Sequence, residues 1–338
     1  MAWLCSHHHG FCWLCGGVEV NYHTLADFRV AHLDVLDELL THSVATLMEQ
    51  DLVDLNRVAQ DGLRVRASAG AASFRRRPTL ERCLQDAQTQ VQRLRDEVAT
   101  DPGEASRGQQ KARERAARER EERIHKALER MPKLEAKKTA DDKEKARVST
   151  TDPEATVMKM ADGGFRPAYN VQFSTDTNAQ VIVGVEVATC GSEQGQMAPL
   201  VEQIHERYER YPKDVRVDGG FVKHDDIDTV SAPEKDCTVY GPVRQPKDAS
   251  QDRYAPRATD SAAVAAWRQR MASAEAHAIY KERAATAECV NALARNRGLR
   301  QLLVRGVAKV KAIALWYAIA HNLMQAVKIR AQGGIMTG

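Results

Sequence analysis

Aromatic residues are scarce, 5% of a 338-residue chain, and no apolar run reaches the roughly 18 residues that a membrane-spanning helix needs. A helical membrane span is excluded, and 20 Gly and 11 Pro without a repeat exclude collagen. Cysteine is sparse and odd in number, seven residues scattered from Cys5 to Cys289. The opening residues form no Lys/Arg-flanked apolar segment of the signal-peptide kind, so reduced thiols in a cytoplasmic protein are expected. There is no Gly-rich phosphate loop of the P-loop type, which leaves an ATP-driven step unsupported. An excess of one charge is also missing, since 49 Lys/Arg against 46 Asp/Glu give a net +3.

That balance hides an uneven distribution. Between Arg107 and Arg147 stand 15 Lys/Arg against 9 Asp/Glu, and the rest of the chain is slightly acidic. Arg75, Arg76 and Arg77 add a positive cluster just upstream. A polyanion responds to such local fields rather than to net charge; the same runs read equally well as solvated helical faces.

The N-terminus carries Cys5, His7, His8, His9, Cys12 and Cys15. Cys12 and Cys15 have the two-residue spacing of a zinc pair, but no second pair follows, and Trp-Leu-Cys occurs twice, at 3–5 and 13–15. Residues 1–17 read as an ill-defined start rather than a metal module.

Thr24 and Asp27 predict a helix N-terminus, and Phe28, Val35, Leu36, Leu39, Leu40, Val44 and Leu47 a single amphipathic helix to about Gln50 with its stripe in the core. Residues 56–66 read as a strand interrupted near Asp61-Gly62. From Pro78, Leu80, Leu84, Ala87, Val91, Leu94 and Val98 follow a heptad seam. Asp101-Pro102-Gly103 breaks it, and a charged return helix predicts a helical hairpin over 78–131, followed by a Lys-rich linker to Thr151.

Residues 168–175 and 181–188 predict an antiparallel β-hairpin around Asp176-Thr-Asn178. A helix over 195–208, strands over 214–218 and 237–240, and long helices over 262–295 and 299–330 complete an α/β pattern. His321-Asn322 reads as a helix-packing pair, Trp267 and Trp316 as core anchors, and His205 and His224 have no evident partner.

Acidic residues at strand ends are costly to bury unless paired or bound to metal. Asp61 in Gln60-Asp-Gly62 and Asp218 in Val217-Asp-Gly-Gly-Phe221 fit that description, each followed by Gly; taken singly, each reads as well as an ordinary turn. On the helix Tyr280-Lys-Glu-Arg283-Ala-Ala-Thr-Ala-Glu288, continuing to Arg295, Glu288 and Arg295 share a face two turns apart. A Glu aimed from this helix at two strand-borne Asp residues would complete a site for two Mg²⁺ or Mn²⁺ ions.

These segments, with Thr151-Asp-Pro-Glu-Ala-Thr-Val-Met-Lys-Met160 and Gly163-Gly-Phe-Arg-Pro-Ala-Tyr-Asn-Val-Gln172, resemble the DDE transposases of bacterial insertion sequences, in the insertion-sequence-four-like superfamily. The resemblance spans about residues 18–325. It implies an RNase H-like mixed sheet flanked by helices, with a helical hairpin inserted between the first and second strands. The catalytic domain would run over 18–74 and 151–296, around a basic insert at 75–150, with a C-terminal helix and tail at 297–338.

By the same resemblance, Asp61, Asp218 and Glu288 match the metal-binding catalytic carboxylates, and Tyr280, Arg283 and Arg295 match residues that contact the transposon end. Four residues separate Arg283 from Glu288 where the familiar pattern has three, and Arg295 stands where Lys is usual; Glu282 is the competing glutamate. The implied activity is Mg²⁺- or Mn²⁺-dependent DNA cleavage and strand transfer, and the implied partners are transposon-end and target DNA and further copies of the chain, with nucleoid association and no membrane. Arg75, Arg76 and Arg77 would join the insert in backbone contacts. Relatives of this kind carry a DNA-binding region before the equivalent of Val18, so an N-terminally truncated chain is expected. The alternative is an idle remnant or inhibitor that binds DNA or a full-length transposase.

Overall fold

The computed structural model describes residues 1–100, 107–136, 138–246, 248 and 250–335. Two short helices, α1 (Ala2–His7) and α2 (His9–Leu14), open the chain, followed by α3 (Tyr22–Ala31) and α4 (Leu33–Glu49). The expected single helix is thus two, because His32 leaves helical geometry at φ −116° and ψ 51°. The cap lies earlier than Thr24, with the Asn21 side chain accepting from the His23 N–H. Leu36, Leu40, Val44 and Leu47 are buried, whereas Phe28, Val35 and Leu39 stay exposed: only part of the apolar stripe meets the sheet side.

Strand β1 (Arg57–Arg66) runs unbroken through Asp61-Gly62, opposite Phe173 and Gln172. The expected interruption is absent because the partner strand supplies a regular antiparallel ladder across it. Then come β2 (Phe74–Arg75), α5 (Arg77–Thr100), α6 (Arg107–Glu135), β3 (Val148–Ser149), β4 (Thr156–Lys159), β5 (Phe165–Asp176) and β6 (Ile182–Ala188). The remaining elements are α7 (Met197–Tyr208), β7 (Asp214–Arg216), α8 (His224–Val230), β8 (Thr238–Tyr240), α9 (Ala262–Arg270), α10 (Ala274–Arg283), α11 (Cys289–Asn296) and α12 (Val307–Ile335).

The main sheet is mixed and runs β4-β5-β1-β7-β8, with β6 also on β5. β5 pairs antiparallel with β1, β4 and β6, while β7 lies parallel to both β1 and β8. From Pro167 to Asp176 β5 is buried throughout, as a central strand covered on both faces must be. The predicted hairpin of β5 and β6 is present. Helices α4, α7 and α12 carry apolar side chains into the same core as the strands, so the architecture is mixed α/β.

Helices α5 and α6 form the antiparallel insert between β1 and β5, with Leu80, Ala87 and Val91 buried on one arm and Ala117, Ile124 and Met131 on the other. The Val98 side chain and the Asp101-Pro102-Gly103 break lie outside the described residues. The expected Lys-rich linker is more ordered than its composition indicates: β3 pairs with β2, and Ala146 and Val148 pack on Leu80, Ala127 and Met131. Two buried apolar side chains suffice to tether a segment that propensity alone leaves open.

The expected long helix over 262–295 is divided. Ser273 caps α10 by accepting from the Ala276 N–H, and a π-turn at Ala284–Glu288 separates α10 from α11. The last helix starts at Val307 rather than near Leu299, where Glu154 Oε2 accepts its first N–H at 2.9 Å and Asp152 Oδ1 accepts from Gly306. Acidic side chains at a helix N-terminus satisfy unpaired donors and complement the dipole. Trp267 is a buried anchor and Trp316 a half-buried one. His321 and Asn322 are the packing pair expected, reaching Gln180 and Ile182.

Candidate active-site cleft

Three elements far apart in the chain bring their acids to one cleft of about 550 Å³. Asp61 comes from the middle of β1, Asp218 from the turn two residues beyond β7, and Glu288 from the end of the π-turn. Parallel pairing of β1 with β7 explains why two Asp residues 157 positions apart emerge side by side. Local hydrogen bonds orient both: Gly62 N–H donates to Asp61 Oδ1 at 2.9 Å, and Gly220 N–H to Asp218 Oδ1 at 2.7 Å.

Arg283 stands among these acids. It donates to Glu288 Oε1 at 2.5 Å, and its Nη1 lies 3.9 Å from Asp61 Oδ2. A turn closed by i→i+5 hydrogen bonds brings residues five apart onto one face, so the extra residue between Arg283 and Glu288 is absorbed as a π-turn. Tyr280 underlies the guanidinium, with its ring centroid 5.8 Å from Arg283 Cζ. Arg295 lines the same cleft, joined by Arg300. Backbone pairing places Arg300: Arg66 N–H donates to its carbonyl at 3.1 Å, extending the end of β1.

Burial raises the Asp61 carboxyl above the usual range and outweighs the opposing Arg283 charge and Gly62 N–H; Asp218 raises it further. A fourth carboxylate, unmarked by any sequence motif, is Glu193 in the loop between β6 and α7. Its pKa is pushed up to about 7, first by burial and then by the charges of Asp218 and Asp61. An acid between small residues just after a strand, Gly191-Ser-Glu-Gln-Gly195, is the signal that would have found it, the same signal that marks Asp61 and Asp218.

The other expected residues divide. Glu282 is turned away from the cleft and accepts from buried Arg216 at 2.8 Å. Arg75 ends β2, Arg77 begins α5 and Arg76 lies between them, and none of the three lines the cleft. Arg77 is held in a two-pronged pair with Glu135 at 3.0 and 2.7 Å, whereas Arg75 and Arg76 are exposed. At the N-terminus, Cys12 Sγ donates to the Cys5 carbonyl.

Among the described residues, no three His, Cys, Asp or Glu side chains are close enough together to hold a metal ion as arranged. The donor chemistry of the cleft nevertheless fits a hard divalent cation, since its acids offer oxygen alone; the cation facing Asp61 and Glu288 is the Arg283 side chain.

A family model described as Transposase DDE domain matches residues 233–327. This segment resembles a DDE transposase. The match includes Tyr280, Arg283, Glu288 and Arg295 and leaves Asp61 and Asp218 outside it, so it bears on the glutamate-bearing half of the cleft. It points to transposition-related cleavage of DNA, a chemistry that is generally dependent on divalent metal. No curated protein and no solved structure matches the chain. No helix among the described residues is long and apolar enough to cross a membrane.

Proposed function

We propose that the chain carries the catalytic part of an insertion-sequence-four-like DDE transposase, with an RNase H-like domain over 18–74 and 151–296, a basic insert at 75–150 and a C-terminal helix and tail. The observation that carries this reading is the convergence of Asp61, Asp218 and Glu288 on one basic-rimmed cleft. Asp61, Asp218 and Glu288 would hold Mg²⁺ or Mn²⁺, which when bound activates an attacking oxygen and offsets charge on the phosphodiester. Arg295 and Arg300 hold the DNA backbone beside the acids. Arg283 exchanges its carboxylate partners for a phosphate, and Tyr280 keeps its guanidinium oriented. Arg75, Arg76 and the insert add charge-driven backbone contacts, with further copies of the chain assembled on transposon ends and target.

The test is Mn²⁺-dependent nicking of DNA carrying the element's ends. Asp61→Asn, Asp218→Asn and Glu288→Gln should each abolish nicking while DNA binding persists; nicking retained in all three overturns the reading. Joined products mark strand transfer.

One observation favours a second reading, a catalytically idle chain that binds DNA or an intact transposase: Arg283 is already paired with Glu288 and faces Asp61. An idle partner lowers the activity of an intact homologue in a mixed assay, and nicking by the chain alone excludes it.

A further inference from the structure

Glu193 approaches the two strand-borne acids through two glycines. A Cβ built on Gly220 would stand 2.6 Å from Glu193 Oε2 and 2.9 Å from Asp218 Oδ1. A Cβ on Gly62, the residue after Asp61, would stand 2.7 Å from Glu193 Oε1. One carboxylate therefore spans both turns, with an oxygen toward each, in space that only glycine leaves open.

The same space collects buried polar groups. The Gly62 Cβ position lies 2.6 Å from Asn170 Oδ1 and 2.7 Å from Gln172 Nε2. Both residues sit on β5 and are fully buried; Gln172 Nε2 has no hydrogen-bond partner, and the Asn170 side chain faces the Glu193 carboxyl. Buried polar atoms are normally satisfied, so an exception calls for a polar partner such as a water or an ion. No cation among the described residues is within ion-pair distance of Glu193: the nearby Arg64 is engaged with the carbonyls of Lys159 and Gly191. Arg283 Nη1, 3.9 Å from Asp61 Oδ2, is the cation nearest the three converging acids, and it forms no ion pair with Asp218 or Glu193, which leaves negative charge for a bound cation to offset.

We propose that Glu193 is a fourth carboxylate of the divalent-cation site, acting with Asp61 and Asp218, and that Gly62 and Gly220 leave the room its carboxylate occupies, so that a side chain at either position would displace it. This inference rests on the metal-dependent reading of the cleft and extends it to a residue outside the Asp61, Asp218 and Glu288 set. Asn170 and Gln172 complete the pocket as polar groups behind the acids, orienting Glu193 and water.

The experiment is a Mn²⁺ titration of the full chain, stripped of metal, followed by the electron paramagnetic resonance of free Mn²⁺. Wild type, Asp61→Asn, Glu193→Gln and Gly62→Ala are compared, and circular dichroism in chelator reports the fold. Glu193→Gln and Gly62→Ala should each weaken Mn²⁺ binding by roughly 10- to 100-fold, the range for lost ligands and their supports. Wild-type binding in Glu193→Gln with loss in Asp61→Asn overturns the proposal and leaves the three-acid site standing. Equal binding in wild type and Asp61→Asn, or no binding by wild type, overturns both. Should Glu193→Gln fail to fold, Gly62→Ala decides, since it retains every carboxylate and only fills the gap.

Discussion

Arg283, the last residue of α10, and Glu288 are five residues apart and still form a 2.5 Å ion pair, because the segment between them is a π-turn. The turn aims Glu288 and a guanidinium at the same cleft. It also frees backbone acceptors, one of which is used: Gln180 Nε2 donates to the Ala285 carbonyl at 3.0 Å.

Removing that guanidinium separates its two roles. Arg283→Ala should strengthen Mn²⁺ binding severalfold, since a fixed positive charge between carboxylates competes with a divalent ion. The same variant should lose nicking. Unchanged Mn²⁺ affinity would show that Arg283 does not compete with the ion.

Arg295 and Arg300 rim the cleft and differ from the acids in what they should do. Arg300→Ala and Arg295→Ala should weaken DNA binding regardless of sequence, and each should reduce the slope of log affinity against log salt by about 1. Fluorescence anisotropy at several salt concentrations measures this, and an unaltered slope removes the residue from the DNA contact.

Asn322 provides a purely structural control. Its side chain both accepts from the Ile182 N–H and donates to the Ile182 carbonyl, each at 2.8 Å, which fastens α12 to β6. Asn322→Leu leaves two buried backbone groups unpaired and should destabilise the chain by about 2–4 kcal/mol in urea unfolding. The folded fraction should keep its Mn²⁺ affinity.

Asp176 predicts the pH response of the fold. Burial pushes its carboxyl up to about 6, against the N–H groups of Asn178 and Ala179 that it accepts. A folded-state value above the unfolded one means that the native chain holds the proton longer. Its stabilising protonated form is fully present below the ordinary carboxylate value and is lost as pH rises toward about 6. The difference in unfolding free energy between wild type and Asp176→Asn should therefore change between pH 4 and pH 6, on the order of 2 kcal/mol, with wild type the loser as pH rises. A flat difference curve contradicts the assignment.

Much of this arrangement was legible as local pattern. The β5-β6 hairpin follows from two apolar β-branched runs around a turn cluster, and the α5-α6 insert from a heptad seam. Asp61 and Asp218 were visible as acids before glycine and Glu288 as an acid on a helix face, but only the resemblance to DDE transposases grouped the three. The choice between Glu282 and Glu288 depended on the π-turn, whose geometry no residue pattern announces; the extra residue before Glu288 was its only trace. The break at His32 escaped detection because the apolar spacing continues across it.

The sequence by itself determined the alternation of strands and helices and the basic insert, because period, turn chemistry and charge act over a few residues. Tertiary structure alone decided that Asp61 and Asp218 meet, since parallel pairing of β1 with β7 joins segments 157 positions apart. It alone decided that Arg283 faces Asp61 while Arg77 is tied to Glu135. Glu193 carries the local signal of an acid between small residues after a strand, but its place between Gly62 and Gly220 belongs to the tertiary level, since it arises from how a loop crosses two strand ends.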